Sequence, residues 1–382
     1  MYFQKVLKFN LTELQMFRIR AIRTSILLFC LSFIFTACGD KGGRVVAEAP
    51  IPVKVVVVSM FEIGNDENDR PGEFQYWVER FPLSKSLPLT SGFRDLRYNA
   101  EKGVLGMVTG IGTARAAASI MALGSDPRFD LSKAYWVVAG ISGVDPEDAS
   151  VGSAAWAEWV VDGDLSHEID PREAPKDWPT GYIPLRQTEP YEGPLPEDLE
   201  GYAFQLNPEL VDWAYTLTKD VELMETEDTK NMSSRYVNYP AAQKGPVVMK
   251  GDQLAAMTYW HGKLMNDWAN DWVEYWTGGK GNFVTSAMED TGTLQSLTFL
   301  AKGGKVDLDR VLVLRTASNF TMQYDGINAY ESLAGEKLSG EGYSAYIPSL
   351  DAAYKVGSKV VNEIVENWDT FEQNPYSTSE NQ

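Results

Sequence analysis

Four short runs carry the side chains best able to do chemistry. Ser286-Ala287-Met288-Glu289-Asp290 offers Glu289, whose carboxylate can accept two hydrogen bonds from a diol. Arg315-Thr316-Ala317-Ser318-Asn319-Phe320 offers Asn319, an amide that can both donate to and accept from the edge of a heterocycle. Thr109-Gly110-Ile111-Gly112-Thr113-Ala114-Arg115 is a glycine-punctuated turn at a helix start. There, backbone N–H groups of the Gly110–Thr113 stretch can approach an anion, and Arg115 adds positive charge. Ser59-Met60-Phe61-Glu62 puts an acid, Glu62, just past an apolar run, where burial can raise a carboxyl group into the range of a general base. Each has an ordinary structural alternative: a solvated acidic loop for Glu62, polar caps for Glu289 and Asn319, and a tight connection for the glycines.

These residues need elements to position them. Residues 53–59 (VKVVVVS), 104–109, 134–139 (AYWVVA), 154–161 and 311–317 (VLVLRTA) are apolar, β-branched runs of the kind buried on both faces of a sheet. An Ala-rich helix is predicted over 113–123, and Gly140-Ile141-Ser142-Gly143 reads as a glycine-rich turn after the third strand. Residues 252–276 read as a helix in which Trp260, Leu264, Trp268, Trp272 and Trp276 recur every four residues as a core-packing stripe. Ser349 is placed to cap a last helix that turns Leu350, Ala353, Val360, Ile364 and Trp368 inward. Strands alternating with helices indicate an α/β sandwich around a mixed, largely parallel central sheet. Residues 162–245, rich in proline, acids and aromatics, read as an irregular insertion on a domain spanning 51–370, with a frayed tail over 371–382. In such sheets ligands gather where strands end.

Composition removes several functions. Acidic side chains outnumber basic ones 53 to 34 in 382 residues, a net charge of −19 that repels phosphate backbones and argues against nucleic acid as a partner. With two histidines, His167 and His261, and two cysteines, Cys30 and Cys38, multi-histidine zinc sites and cysteine clusters are nearly excluded, and no metal is expected. The run from Asp162 to Glu168 begins like a calcium loop but carries His167 where glycine belongs. Neither a Gly-x-Ser-x-Gly elbow nor a Walker A loop occurs.

Near the start, Arg18, Arg20 and Arg23 precede an apolar run over 26–35 and then Phe35-Thr36-Ala37-Cys38. This resembles a bacterial lipobox. It implies a signal over 1–37, a lipid anchor on Cys38, a tether over 38–50, and residence at a bacterial cell envelope. An uncleaved anchor or a plain secretory signal are the alternatives. No later stretch offers about 18 uninterrupted apolar residues, the length of a helical membrane span.

Taken in order, VVVVSMFEIGND, VTGIGTARAAASI, VVAGISGVDPEDASVGSAAWAEWVVDGD, VVMKGDQLAA, VTSAMEDTGTLQSL and VLRTASNF resemble the nucleoside phosphorylase superfamily, most closely the purine nucleoside permease family. The resemblance covers about residues 51–370 and implies a mixed-sheet nucleoside-phosphorylase-like three-layer sandwich that binds purine nucleosides. It implies no resident cofactor, phosphate being a co-substrate in the phosphorylases, and leaves room for a homo-oligomer. By the same resemblance, Met288 packs under a sugar and Glu289 binds its hydroxyls. Asn319, beside Ser318, stands where many members carry the Asp that protonates the leaving base. Thr109 lies near the anomeric carbon, Gly140 and Asp252 belong to the substrate site, and Glu62 is nearest to the nucleosidase base. Leu254 stands where a base-stacking aromatic is expected, with Tyr259 or Trp260 as substitutes. Two functions follow: a nucleosidase or phosphorylase, or a binding protein that hands nucleosides to a separate transporter.

Overall fold

Valine-rich runs set the centre of the fold. The computed structural model describes residues 49–338 and 343–377. The predicted signal and Cys38 lie outside the described residues. Strand β1 (Val55–Ser59) is buried at all five positions, which is why it reads as a continuous apolar run rather than an alternating one. A loop then leads to a short helix, α1 (Gln75–Arg80). Strand β2 (Val104–Val108) runs into helix α2 (Thr113–Gly124), and β3 (Tyr135–Val144) is followed by β4 (Ala154–Ala157) and β5 (Trp159–Asp162). Helix α3 (Pro208–Thr218) lies in the insertion. Beyond it come β6 (Asp252–Ala255), α4 (Lys263–Thr277), β7 (Phe283–Ala287), α5 (Asp290–Lys302), β8 (Val311–Phe320) and α6 (Tyr346–Glu366).

The sheet is mixed. β1 pairs in parallel with β2 and β3, and β6 pairs in parallel with β5 and β7. β7 joins β3 antiparallel, closing the path β5-β6-β7-β3-β1-β2. β8 runs parallel to β3 along its length and antiparallel to β4. The pairing of β3 with β8 matters most for function. Its register slips between Ala317 and Asn319, so that Ser318 is an extra residue. A bulge of this kind bends the strand and re-aims its side chains.

The structure departs from the sequence reading at several points. The third strand does not turn at its glycines: Gly140–Gly143 continue in register with β8, because missing side chains leave room for neighbours. A Cβ on Gly143 would meet Ser286 Oγ at 2.6 Å, and one on Gly140 would meet Met60 and Glu73. The 154–161 run is two strands, broken at Glu158, where the N–H groups of Glu158 and Trp159 both donate to Asp252. Residues 252–255 are strand, and the helix starts only at Lys263; Trp260 precedes it and Leu264 is 78% exposed. Trp268, Trp272 and Trp276 do pack together with Val161, Leu254 and Phe283.

The stretch read as irregular contains α3, whose Asn207 cap accepts from the N–H groups of Glu209 and Leu210. Leu210 and Val211 are fully buried, each worth roughly 1.5–3 kcal/mol, enough to fix the segment on the domain. Helix α6 begins at Tyr346, so Ser349 is an internal residue whose hydroxyl donates back to the Tyr346 carbonyl. Fraying does not start at 371: Arg310 donates to the carbonyls of Phe371 and Glu372, and Phe371 and Asn374 are buried.

Candidate functional site

At the ends of β1, β3, β7 and β8 a cavity of about 400 Å³ opens, within the range of small-molecule sites. Its floor carries Met288, Glu289, Arg315, Ser318 and Asn319, and Met60, Phe61 and Glu73 form one wall. Tyr259, Trp260, Tyr343 and Tyr346 bring aromatic surface to it. A larger groove of about 610 Å³ shares Tyr343 and Tyr346, and its charged residues Asp228, Arg235 and Glu331 are exposed.

The cavity is built around one guanidinium. Arg315, 1% exposed, makes a two-pronged pair with Asp290 at 2.9 and 2.7 Å, reaches Glu289 Oε2 at 3.2 Å and donates to the Ile141 carbonyl. Burial works against its charge, but Asp290, Glu289 and Glu73 outweigh that and hold its pKa above the ordinary arginine value. Glu289 lies two residues past β7, at the N-cap position of α5. Its Oε1 accepts from the Gly112 N–H at 3.1 Å and its Oε2 from the Met288 N–H. Burial pushes its carboxyl up, while Arg315 opposes the rise and Asp290 adds to it.

Glu73 is the residue that sequence reasoning missed. Its carboxylate leaves the start of α1 and reaches back to the strand ends. Oε2 accepts from the Met60 N–H at 2.7 Å and Oε1 from the Ile141 N–H at 2.8 Å. Burial drives its pKa to about 8; Arg315 pulls it down and Glu289 pushes it further up. An acid at a helix start normally signals only the helix dipole, so Gly72-Glu73-Phe74 carried no sequence mark of chemistry.

Glu62, the acid nearest to the expected base, does not reach the cavity. It lies outside the cavity lining and accepts from the N–H groups of Ile63, Gly72, Phe74 and Gln75, which makes it the anchor of α1. Thr109 is fully buried outside the lining, with its hydroxyl on the Gly110 carbonyl. Asp252 is likewise structural: it binds the N–H groups of Glu158, Trp159 and Asn282.

The glycine loop does not cradle an anion in this structure. The Gly112 N–H is taken by Glu289, Thr113 Oγ1 donates to the Met288 carbonyl, Arg115 is exposed and off the lining, and Gly110 is buried off the lining. The loop instead fixes the Met288–Glu289 pair. Gly140 makes no lining contact but admits Glu73. Met288, Glu289, Ser318, Asn319 and Tyr259 are brought together. Asn319 Nδ2 donates to Tyr259 Oη at 3.1 Å and to the Phe320 carbonyl at 3.0 Å, while Oδ1 accepts from Ser318. Both amide hydrogens are therefore committed within the protein. Among the described residues no cluster of His, Cys, Asp and Glu suits a metal ion.

The fold and this cavity define an α/β protein of mixed sheet with a carboxylate-lined, ligand-sized site at its strand ends. A family model described as purine nucleoside permease (NUP) matches residues 52–375, and the chain belongs to that family. It is 31% identical over 320 residues to a purine nucleoside permease of Candida albicans, covering 83% of this chain and 76% of the relative. It is 31% identical over 348 residues to a probable purine nucleoside permease of Schizosaccharomyces pombe, covering 88% and 95%. Among solved structures, futalosine hydrolase of Helicobacter pylori superposes with a TM-score of 0.48 at 14% identity, covering 81% of this chain and 98% of that one. A 5'-methylthioadenosine/S-adenosylhomocysteine nucleosidase from S. pneumoniae gives 0.47 at 14%, covering 81% and 98%. The fungal origin of these curated relatives overturns the expectation of a bacterial cell-envelope lipoprotein anchored at Cys38. Among the described residues no helix is long and apolar enough to cross a membrane.

Proposed function

We propose that the cavity binds purine nucleosides and hydrolyses the bond between ribose and base. Glu73 carries the reading: a wholly buried carboxyl group, raised to about 8, lines the same cavity as the ribose-matched Glu289 and shares the field of Arg315. Breaking an N-glycosidic bond builds positive charge on the sugar and negative charge on the base, so carboxylates near the sugar stabilise the transition state. Water adds to the anomeric carbon while the C–N bonding pair leaves with the base. Ionised Glu73 takes the proton of the attacking water, and the departing base is protonated from solvent. Asn319 holds no transferable proton, so it does not act as the acid.

Hydrolysis rather than phosphorolysis is supported by the engagement of the groups expected to hold an anion. Arg315 is committed to Asp290 and Glu289, the loop N–H of Gly112 is occupied, and Arg115 lies off the lining. A phosphate would enter a site whose lining sets Glu73 and Glu289 against Arg315 and Arg70, the latter lying over the Tyr346 ring. The second reading, binding without cleavage, is supported by the commitment of both Asn319 amide hydrogens and by the permease names of the relatives. Incubation with inosine, adenosine and guanosine, with and without phosphate, tests both. Base released equally in both buffers supports hydrolysis. Release only with phosphate overturns it, and binding without release leaves the receptor.

A further inference from the structure

Asp252 is consumed by the backbone around it, but the next residue on β6 is tied to the floor of the cavity. Gln253 is fully buried, and its side chain crosses to the start of α5, where Nε2 donates to Asp290 Oδ2. Arg315 Nε reaches that same oxygen at 2.9 Å, and Arg315 Nη2 reaches Oδ1 at 2.7 Å. A carboxylate accepts and does not donate, so the NH₂ end of the Gln253 amide is the end that faces it. Gln253 Oε1 has no hydrogen-bond partner among the described residues. A buried oxygen left unpaired is a cost that an apolar side chain of the same length would avoid, so the bond to Asp290 is what the amide contributes.

Arg315 is shared unequally. Its Nη2 lies 2.7 Å from Asp290 Oδ1 but 3.2 Å from Glu289 Oε2. Glu289 is held by long contacts elsewhere too, at 3.1 Å from the Gly112 N–H and 3.3 Å from the Met288 N–H. Charge-assisted N–H bonds in good geometry are about 2.7–2.9 Å long. A two-pronged guanidinium pair needs the carboxylate in the guanidinium plane, whereas the terminal torsion of an aspartate is soft. Gln253, donating from a strand, removes that freedom. Without it the Asp290 carboxylate turns out of plane, and Arg315 closes on Glu289 Oε2.

We propose that Gln253 is a positioning residue for ribose recognition: by pinning Asp290 it keeps Arg315 from closing on Glu289 and leaves that carboxylate open to a vicinal diol. This rests on the nucleoside reading above and deepens it, because it names what keeps the sugar-binding acid available.

Titration calorimetry on the full chain tests it with 9-deazaguanosine, a carbon-linked riboside that is not cleaved, and with its aglycone 9-deazaguanine. Wild type is expected to bind the riboside about 10- to 150-fold tighter than the base, as a diol on a charged group should give. Gln253→Met keeps the length of the side chain and drops the donor. It is expected to weaken the riboside about 5- to 50-fold while the base stays within about twofold of wild type. A role in folding alone would move both ligands together. Gln253→Asn keeps the amide but is one methylene too short to reach Asp290, and is expected to show the same split; it decides the matter if Gln253→Met does not fold. Unchanged riboside affinity, an equal loss of both ligands, or failure of both variants to fold overturns the proposal and leaves the nucleoside reading standing. If wild type prefers the riboside by less than about tenfold, the nucleoside reading falls and takes this proposal with it.

Discussion

Replacing Glu73 by Gln removes a titrating group from the interior without changing its size, and the consequence for stability can be worked out. The folded-state pKa is about 8 against an ordinary value of 4.5. The folded protein therefore keeps a proton that the unfolded chain loses. For a raised acid the contribution is fully present below about pH 4.5, declines through the interval, and is gone once the pH passes about 8. The slope is about 1.4 kcal/mol per pH unit, for a total on the order of 5 kcal/mol. Glutamine cannot titrate, but its NH₂ must face either the Met60 or the Ile141 N–H, leaving one buried donor unsatisfied at about 1–3 kcal/mol. Glu73→Gln should thus be less stable than wild type at pH 5.5. The gap should shrink by about 2–3 kcal/mol by pH 7.5 and close or reverse near pH 8.5. Urea midpoints followed by tryptophan fluorescence at half-unit pH steps measure this directly. Parallel wild-type and variant curves from pH 5.5 to 8.5 would show that Glu73 does not titrate in that interval and would refute its raised pKa.

Three further outcomes follow from the same geometry. In the hydrolysis reading kcat/KM rises with pH toward about 8 as Glu73 ionises, and a profile flat across that interval rejects Glu73 as the base. Arg315→Met strips the shared guanidinium from Asp290, Glu289 and Glu73 and is expected to cost at least about 3–5 kcal/mol in urea unfolding, with a loss below about 1 kcal/mol counting against the buried network. Glu289→Ala should abolish ribonucleoside binding by calorimetry, whereas Glu62→Gln should lower stability by about 1–3 kcal/mol through its lost backbone donors while leaving affinity unchanged, and the reverse pattern would exchange the two roles.

The main strand segments and the floor of the cavity were legible because apolar runs and motif spacing are local properties. Residues 55–59, 104–108 and 311–320 are buried throughout, and Met288, Glu289 and Asn319 follow directly from two of the strand ends. Three things were not legible. Gly140–Gly143 looked like a turn because glycine disfavours strands, but what decides there is the space that Glu73 and Ser286 require. Asp252 and the Gly110–Thr113 loop looked like ligand-binding groups, and only the long-range contacts to Trp159, Asn282 and Glu289 show that the protein has used them itself. Glu73 rather than Glu62 reaches the cavity because the excursion between them folds back. Sequence reasoning chose the acid next to the strand, while the chain delivers the one eleven residues later.

That excursion has a practical use. Its two ends are buckled together by the Glu73 N–H on the Phe61 carbonyl and by Glu62 beneath Gly72 and Phe74, while Glu67 and Asn68 at its far point are exposed. A short peptide tag or a single dye-bearing cysteine spliced between those two positions would sit on a hairpin-like handle whose hinge is locked. Such a handle would let an optical reporter be mounted near the mouth of the chamber without disturbing its walls.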